Sequence, residues 1–199
     1  MFQIHGQEQW KLVKDKNGIK VFTRTNTIMS FKEFKAVMEI RASVDEFLSV
    51  LYDVGSLTKW GYNLTEAKLI SRPDELSQTY YAVAKAPWPY KNRDGIYSNV
   101  FDWDKKGKTL TVEIELIEGK EGSDRDLVRL DGFGYWQVNV VSEDKLEVIF
   151  QMQVDPGGSI KAWLANMFVT DSPFYTMEGL REMIKEEKYK GNTYNFLKN

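Results

Sequence analysis

Apolar and polar side chains alternate along most of the chain between residues 10 and 154. A period of two is typical of strands that bury one face and expose the other to water. Phe34 and Met38 fall on one such face, for example, and Lys35 and Glu39 fall on the other. Strands are therefore predicted over residues 10–13, 19–24, 29–42, 64–71, 76–85, 93–103, 109–116, 127–141 and 145–154.

A short helical region interrupts this series of strands. Ser43 and Glu46 match a capping box, in which each side chain bonds the backbone N–H of the other residue. Phe47, Leu48 and Leu51 follow with the spacing of one apolar helix face. The pattern predicts a helix that begins after Ser43, followed by a short helical turn over residues 56–60.

A long helix is predicted at the C-terminal end. Asp155–Gly158 has the composition of a turn, and Ser159 is the predicted N-cap. Pro173 predicts a kink or a short break, with Asp171 and Ser172 capping a second half-helix. An apolar stripe rich in Met, Phe and Trp runs along one face of this helix, a composition that suits contact with an irregular or exchangeable partner. Its members are Ile160, Trp163, Leu164, Met167, Phe168, Phe174, Met177, Leu180, Met183 and Ile184. The same stripe also fits a helix that only closes the core of a sheet.

The order of elements indicates the fold class. Short connections between successive strands favour antiparallel pairing. No linker, repeat or low-complexity segment divides the chain, so one α+β domain over residues 1–199 is expected, with its core at about 10–187. A strongly curved sheet wrapped around one helix leaves room between the two layers.

Composition narrows the function classes. Lys and Arg number 27 against 29 Asp and Glu, a formal net charge of -2, which argues against a nucleic-acid partner. The absence of cysteine excludes disulfides, thiolate metal sites and cysteine nucleophiles. No apolar run reaches the length of a membrane span, and residues 1–9 do not form a signal peptide, so the compartment stays open. Aromatic residues make up 14% of the chain and suit the wall of an apolar pocket.

Catalytic and cofactor motifs are not found. The only histidine, His5, lies near the N-terminus and is expected to be a dispensable surface residue, which leaves no Ser-His-Asp triad. The segment Gly107–Thr109 lacks the first glycine of a phosphate-binding loop and lies between strands. Asp, Glu and His show no metal-ligand spacing. We therefore predict no catalytic residue, no metal site and no cofactor.

Arg93 and Asp94 are the charged residues that stand out. They are adjacent in a predicted strand, so their side chains point to opposite faces of the sheet. Parity does not decide which of them faces the inside. A buried charge requires a partner or a ligand, and Arg129 is a candidate partner. Two readings remain open, a structural ion pair and an anchor for the head of a ligand.

The chain resembles a START domain, the steroidogenic-acute-regulatory-type lipid transfer module, from Trp10 to about Glu187. The matching stretches are Gly18–Arg24, Phe34–Ala36, Pro87–Pro89 with Asn92–Asp94, and Asp155–Gly158 with Trp163–Asn166. Lys161 departs from the family, which often has proline there. The resemblance implies a stand-alone, single-domain member with a helix-grip fold: a curved antiparallel sheet grips the C-terminal helix, and a hydrophobic tunnel lies between them.

The resemblance also implies a function, the binding of a lipid or sterol-like molecule for transfer or sequestration, without enzymatic activity. Arg93, Asp94 and Arg129 are the candidates for orienting a ligand head. The loop 86–92, with Trp88, would lie at the tunnel mouth and make transient membrane contact together with the C-terminal helix. The predicted tunnel wall comprises Met38, Tyr80, Trp136, Met152, Trp163, Met167 and Phe174. The alternatives are a polyketide cyclase-like enzyme that uses Asp94 or Tyr97, and a ligand sensor.

Overall fold

The computed structural model describes residues 9–25, 31–158 and 160–198. His5 and the proposed N-cap Ser159 lie outside the described residues. Among the described residues, no helix is long and apolar enough to cross a membrane. The strands are β1 Lys11–Lys16, β2 Ile19–Arg24, β3 Glu33–Arg41, β4 Leu64–Ser71, β5 Ser77–Ala84, β6 Arg93–Asp104, β7 Thr109–Ile117, β8 Val128–Arg129, β9 Asp131–Ser142 and β10 Lys145–Asp155.

The strands form one 10-stranded sheet in the order β1-β2-β3-β10-β9-β7-β6-β5-β4, with β8 beside β6. All neighbours are antiparallel except β6 and β8, which are parallel. The alternation seen in the sequence becomes one buried face, on which Ala36, Val112 and Val148 have no exposed surface. The predicted α+β class is confirmed, and the C-terminal helix covers the buried face.

The first helical region follows the prediction. Helix α1 spans Val44–Tyr52 and begins with the expected capping box. The Glu46 N–H donates to Ser43 Oγ at 3.2 Å, and the Ser43 N–H donates to Glu46 Oε2 at 2.8 Å. A 3₁₀ turn (Val54–Ser56) and helix α2 (Leu57–Trp60) lead into β4.

The C-terminal helix differs from the prediction in how it accommodates Pro173. Helix α3 (Ala162–Asn166) continues through a π-helical turn, Met167–Asp171, into helix α4 (Ser172–Met183). Proline has no N–H to donate, and a π turn in the preceding residues absorbs this without breaking the helix. The predicted capping by Asp171 and Ser172 is wrong, because Asp171 keeps helical backbone angles (φ -80, ψ -43) and makes no capping hydrogen bond.

The predicted long strand over 127–141 is also interrupted. The Leu130 N–H donates to Asp94 O at 2.8 Å, so residues 128–130 follow β6 before the chain turns into β9. Gly132 allows this turn: its φ is +156°, and a Cβ there would lie 2.9 Å from Val154 Cα. The glycine therefore permits a close approach of β9 to its neighbour β10, where Gly132 is paired with Val154.

Helix α4 is fixed against α2 by backbone contact. A Cβ on Gly179 would lie 2.9 Å from Trp60 Cα, closer than side-chain atoms pack. The Tyr62 N–H donates to Thr176 Oγ1 at 3.2 Å on the same side of the helix. At the other end, Asp171 of the π turn pairs with Lys14 of β1 at 3.0 Å. Backbone packing therefore fixes α4 and an ion pair fixes the end of the π turn, whereas α3, whose Trp163 is 50% exposed, is less tightly held.

Candidate functional site

A cavity lies between the buried face of the sheet and the C-terminal helix. Its volume is about 150 Å³. The sheet, the α1–β4 segment, the π turn and α4 all contribute to its wall. The lining residues are Phe34, Leu51, Val54, Leu57, Trp60, Gly61, Tyr62, Leu64, Tyr80, Ala82, Ala84, Tyr97, Asn99, Ile114, Leu130, Trp136, Phe150, Met152, Val154, Phe168, Val169, Ser172 and Thr176.

Aromatic rings give the cavity its shape. Trp136 of β9 stacks on Phe150 of β10 with ring centroids 3.9 Å apart, and Trp60 meets Trp136 edge-on at 6.5 Å. On the other side, Tyr80 and Tyr97 stack at 5.0 Å because they are directly paired across β5 and β6. Ring pairs of this kind resist collapse of the wall and offer a large apolar surface to a ligand.

The polar groups of the lining are uncharged side chains. They are the hydroxyls of tyrosine, serine and threonine, the amide of Asn99 and the indole N–H of tryptophan. Burial raises the pKa of Tyr97 to about 12. Burial and the neighbouring Tyr97 raise the pKa of Tyr80, against a smaller opposing effect of Asn99. Both phenols therefore keep their protons at neutral pH and present neutral O–H groups.

Arg93 and Asp94 lie outside this lining, and β6 sends them to different places. Arg93 has the parity of Tyr97 and Asn99, but its Nε donates to Pro156 O at 3.2 Å and its Nη1 donates to Lys91 O at 2.5 Å. Burial lowers the pKa of Arg93. Arg93 thus ties the turn before α3 to the loop 86–92.

Asp94 points to the opposite face of β6. Its carboxylate accepts from Arg129 Nε at 3.1 Å, Arg129 Nη2 at 2.9 Å and the Tyr81 hydroxyl at 3.1 Å. Ile96 and Val83 extend this face in a small apolar cluster around Tyr81. The pairing with Arg129 is bidentate and the carboxylate is almost fully buried. The charge of Asp94 is therefore already paired within the protein, without a ligand.

Comparisons with known proteins identify the family. No family model matches the chain. The uncharacterized protein PA1579 of Pseudomonas aeruginosa is 32% identical over 177 residues, which cover 87% of this chain and 86% of that protein. The STAR-related lipid transfer protein of Xanthomonas axonopodis is 32% identical in its crystal structure, with a TM-score of 0.78 over 90% of this chain and 100% of that one. The chain belongs to the START family.

A more distant relative has the same fold. START domain-containing protein 10 of Homo sapiens is 25% identical over 181 residues, which cover 88% of this chain and 60% of that protein. Its crystal structure matches with a TM-score of 0.77 at 21% identity. The helix-grip fold that the sequence resemblance implied is thereby confirmed for this START domain.

The START domain brings only part of the predicted wall to the cavity. Tyr80, Trp136 and Met152 are in the lining. Met38 and Phe174 are buried outside it, and Phe174 lies under Lys14 Nζ at 4.1 Å. The remaining members, Met167, Trp163 and Trp88, also lie outside the lining; Met167 is half-buried, Trp163 is 50% exposed and Trp88 is 91% exposed. Their roles in lipid binding stay predictions.

The sequence analysis missed several polar side chains of the START domain cavity, of which Asn99 and Trp60 are the most deeply buried. Asn99 stands on a face of β6 that otherwise carries Tyr97, Phe101 and Trp103. A single amide within an aromatic face is a signal that strand parity makes visible. Trp60 gave no such signal, because its place in the cavity depends on how α2 packs against the sheet.

Proposed function

We propose that the protein binds one lipid or other hydrophobic small molecule in this cavity and carries it between membranes or holds it in solution. The observation that supports this proposal is the apolar, aromatic cavity between sheet and helix. Burial of ligand surface contributes about 25 cal/mol per Å² before the costs of association. The lipid transfer function named for the Xanthomonas relative supports the same reading.

Binding is favoured over catalysis by the chemistry of the lining. A cyclase-like reaction requires a group that removes a proton, and the lining residues found over 9–25, 31–158 and 160–198 include no carboxylate and no histidine. The two cavity tyrosines are held in their protonated form by burial. Asp94, the carboxylate considered for catalysis, is paired with Arg129 on the other face of β6.

The size of the cavity implies movement. Pockets that enclose drug-sized ligands have volumes of about 300–1,000 Å³, whereas this cavity has about 150 Å³. Helix α4 is held by Gly179 against Trp60, and Asp171 at the end of the π turn is held by Lys14, so we assign the movement to α3, with the π turn as its hinge. Single π turns inside α-helices frequently lie at functional sites. The cavity would enlarge as the first half of the C-terminal helix moves away from the loop 86–92.

The entrance would face a membrane through exposed tryptophans. Trp163 on α3 meets Tyr90 of the loop edge-on, with ring centroids 5.9 Å apart, and Trp88 projects from the same loop. Indole rings are well placed at a bilayer interface, where both the ring and the N–H find suitable partners. We therefore propose transient membrane contact through Trp88 and Trp163.

Native mass spectrometry of the purified protein, with lipid extraction, tests the binding function. We expect a protein species that carries one small hydrophobic molecule, either retained from expression or taken up from added lipid vesicles. A folded protein that stays ligand-free in the presence of mixed lipid vesicles would overturn the proposal.

A reducible cross-link tests the entrance. The chain has no cysteine, so Tyr90→Cys with Trp163→Cys creates one pair that a disulfide-containing bismaleimide can join. We expect lipid exchange with vesicles to stop on cross-linking and to resume on reduction, while a loaded lipid stays bound.

The matched control is Asn17→Cys with Glu178→Cys. These side chains also touch, since Asn17 Nδ2 donates to Glu178 Oε1 at 2.7 Å, but they join α4 to the turn between β1 and β2, in the fixed half of the helix and outside the cavity lining. Cross-linking this pair should leave exchange unchanged. Exchange that stops in the control and continues in the Tyr90/Trp163 variant would place the entrance elsewhere.

A further inference from the structure

Two buried polar atoms in the cavity wall have no protein partner among the described residues. They are the indole N–H of Trp60 and the side-chain oxygen of Asn99. Trp60 is 5% exposed and Asn99 is 3% exposed. Buried polar atoms are paired in the large majority of cases, and leaving one unpaired is costly because the atom loses its water without gaining a partner. An unpaired donor and an unpaired acceptor in the wall of one cavity therefore require explanation by what the cavity binds.

The two atoms have opposite requirements. The Trp60 N–H needs an acceptor, and the Asn99 oxygen needs a donor. A hydroxyl group satisfies both, because it donates one hydrogen bond and accepts two. A carboxylate, a phosphate or an ether only accepts, and a quaternary ammonium group does neither.

The rest of the wall does not favour a charged ligand head. Within the described parts of the chain, the lining residues include no Lys, Arg, Asp or Glu. The Arg72 guanidinium lies outside the lining, where its Nη2 donates to Gln78 Oε1 at 2.7 Å. Moving an ion from water into such a wall is costly unless it is paired. An uncharged polar head carries no such cost.

We infer that the cavity selects a lipid whose buried end carries an uncharged group that both donates and accepts hydrogen bonds, above all a hydroxyl, held between Trp60 Nε1 and Asn99 Oδ1. This inference rests on the proposed binding function and specifies the ligand class. The hydroxyls of Tyr80 and Tyr97, which share the wall, provide neutral surroundings for the same group.

Four probes with one twelve-carbon chain test the head group: dodecan-1-ol, dodecyl methyl ether, dodecanoate and dodecyltrimethylammonium. Binding is measured at pH 8 by calorimetry, with tryptophan fluorescence as a second readout, because Trp60 and Trp136 line the cavity. We expect the alcohol to bind about three- to tenfold more tightly than the ether, which lacks the donor. The two charged probes should bind more weakly than both neutral ones.

Variants assign the two contacts. Asn99→Leu should abolish the preference for the alcohol over the ether, because the oxygen that accepts from the ligand is gone. Trp60→Phe should weaken both neutral probes by a similar factor, because both offer an acceptor. Trp103→Phe is the matched control: its indole N–H is also buried and unpartnered, but Trp103 lies outside the lining, so neither affinity should change.

The outcomes separate this inference from the proposed function. If none of the four probes binds to the folded protein, binding of a hydrophobic molecule in the cavity is itself refuted. If the charged probes bind as tightly as the alcohol, or if Asn99→Leu keeps the alcohol preference, only the head-group inference fails. Should Asn99→Leu fail to fold, Trp60→Phe and its Trp103→Phe control still decide whether a donor in the cavity wall holds the ligand.

Discussion

The two faces of strand β6 treat polar side chains in opposite ways. On the outer face, the charge of Asp94 is buried and fully engaged by Arg129 and Tyr81. On the inner face, Asn99 is neutral and equally buried, and its side-chain oxygen has no partner among the residues that the structure describes. The charge of Asp94, which stands out in the sequence, is therefore used to stabilise the fold, whereas the polar groups that line the cavity are uncharged.

Arg93 belongs to neither class. It shares the inner parity of Asn99, but it lies at the end of β6, where backbone carbonyls of Pro156 and Lys91 occupy its guanidinium. It therefore links the two segments that border the proposed entrance. A charge at this place stabilises the frame of the cavity without entering it.

The largest effect is expected from the outer face. Asp94→Ala should lower the free energy of unfolding by about 3 kcal/mol, because Arg129 and Tyr81 lose their shared partner. The affinity of the remaining folded protein for dodecan-1-ol should stay the same. Denaturant unfolding and calorimetry on the same samples measure both quantities.

A second variant separates charge from packing at this face. Asp94→Ala combined with Arg129→Met removes both ions, so it should recover part of the lost stability. A single Asp94→Ala variant that keeps its stability but loses ligand affinity would show that Asp94 anchors a ligand, and the comparison of the two faces would fail.

An intermediate effect is expected from the inner face at high pH. Tyr97 keeps its proton to about pH 12 in the folded protein, whereas a tyrosine in an unfolded chain ionises near pH 10. The unfolded state therefore loses its proton first, and the contribution of Tyr97 is complete below pH 10 and lost between pH 10 and 12. The slope for one such group is at most about 1.4 kcal/mol per pH unit.

Tyr97→Phe should reduce this dependence. The variant removes the group that titrates, so its free energy of unfolding should fall less steeply between pH 10 and 12 than that of the unchanged protein. Curves measured from pH 8 upward by urea unfolding provide the comparison. Parallel curves for the two proteins would mean that Tyr97 is in contact with water in the folded state.

The smallest effect, with the opposite sign to Asp94→Ala, is expected for Asn99→Leu without ligand. Replacing a half-satisfied buried amide by an apolar side chain of similar shape should leave stability unchanged or raise it by less than about 1 kcal/mol. Asn139→Leu is the control, because Asn139 Nδ2 donates to Glu147 Oε2 at 2.8 Å and its loss should destabilise. A destabilisation by Asn99→Leu as large as that of the control would show that the Asn99 oxygen has a structural partner.

Local chemistry made much of the fold predictable. The capping box of Ser43 and Glu46 depends only on residues three apart, and the sequence reading located it correctly. The alternation of strands such as β3 follows from burial of one face, which a period of two records directly. The START resemblance then supplied the helix-grip arrangement, which no local pattern determines.

The cavity itself was less predictable, for physical reasons. Parity showed that Arg93 and Asp94 face opposite ways, but the outer partners of Asp94 come from residue 129 and from β5, far away in sequence. Met38 and Phe174 are buried between the sheet and the C-terminal helix, as predicted, but they do not line the cavity, because the cavity occupies only part of this buried layer. The π turn before Pro173 depends on how the helix packs against the sheet. The sequence therefore predicted an irregularity at Pro173 but not that it would be a π turn.

If the head-group inference holds, the unpaired atoms of Trp60 and Asn99 also bear on lipid transfer. Their unmet hydrogen bonds would raise the free energy of the empty protein, and a bound ligand with a hydroxyl would satisfy them. The ligand-free protein would then have a higher free energy than the ligand-bound protein, so it would bind a suitable lipid in any membrane that contains one. Net transport would follow the abundance of that lipid in the membranes visited, with no energy source beyond the lipid gradient itself.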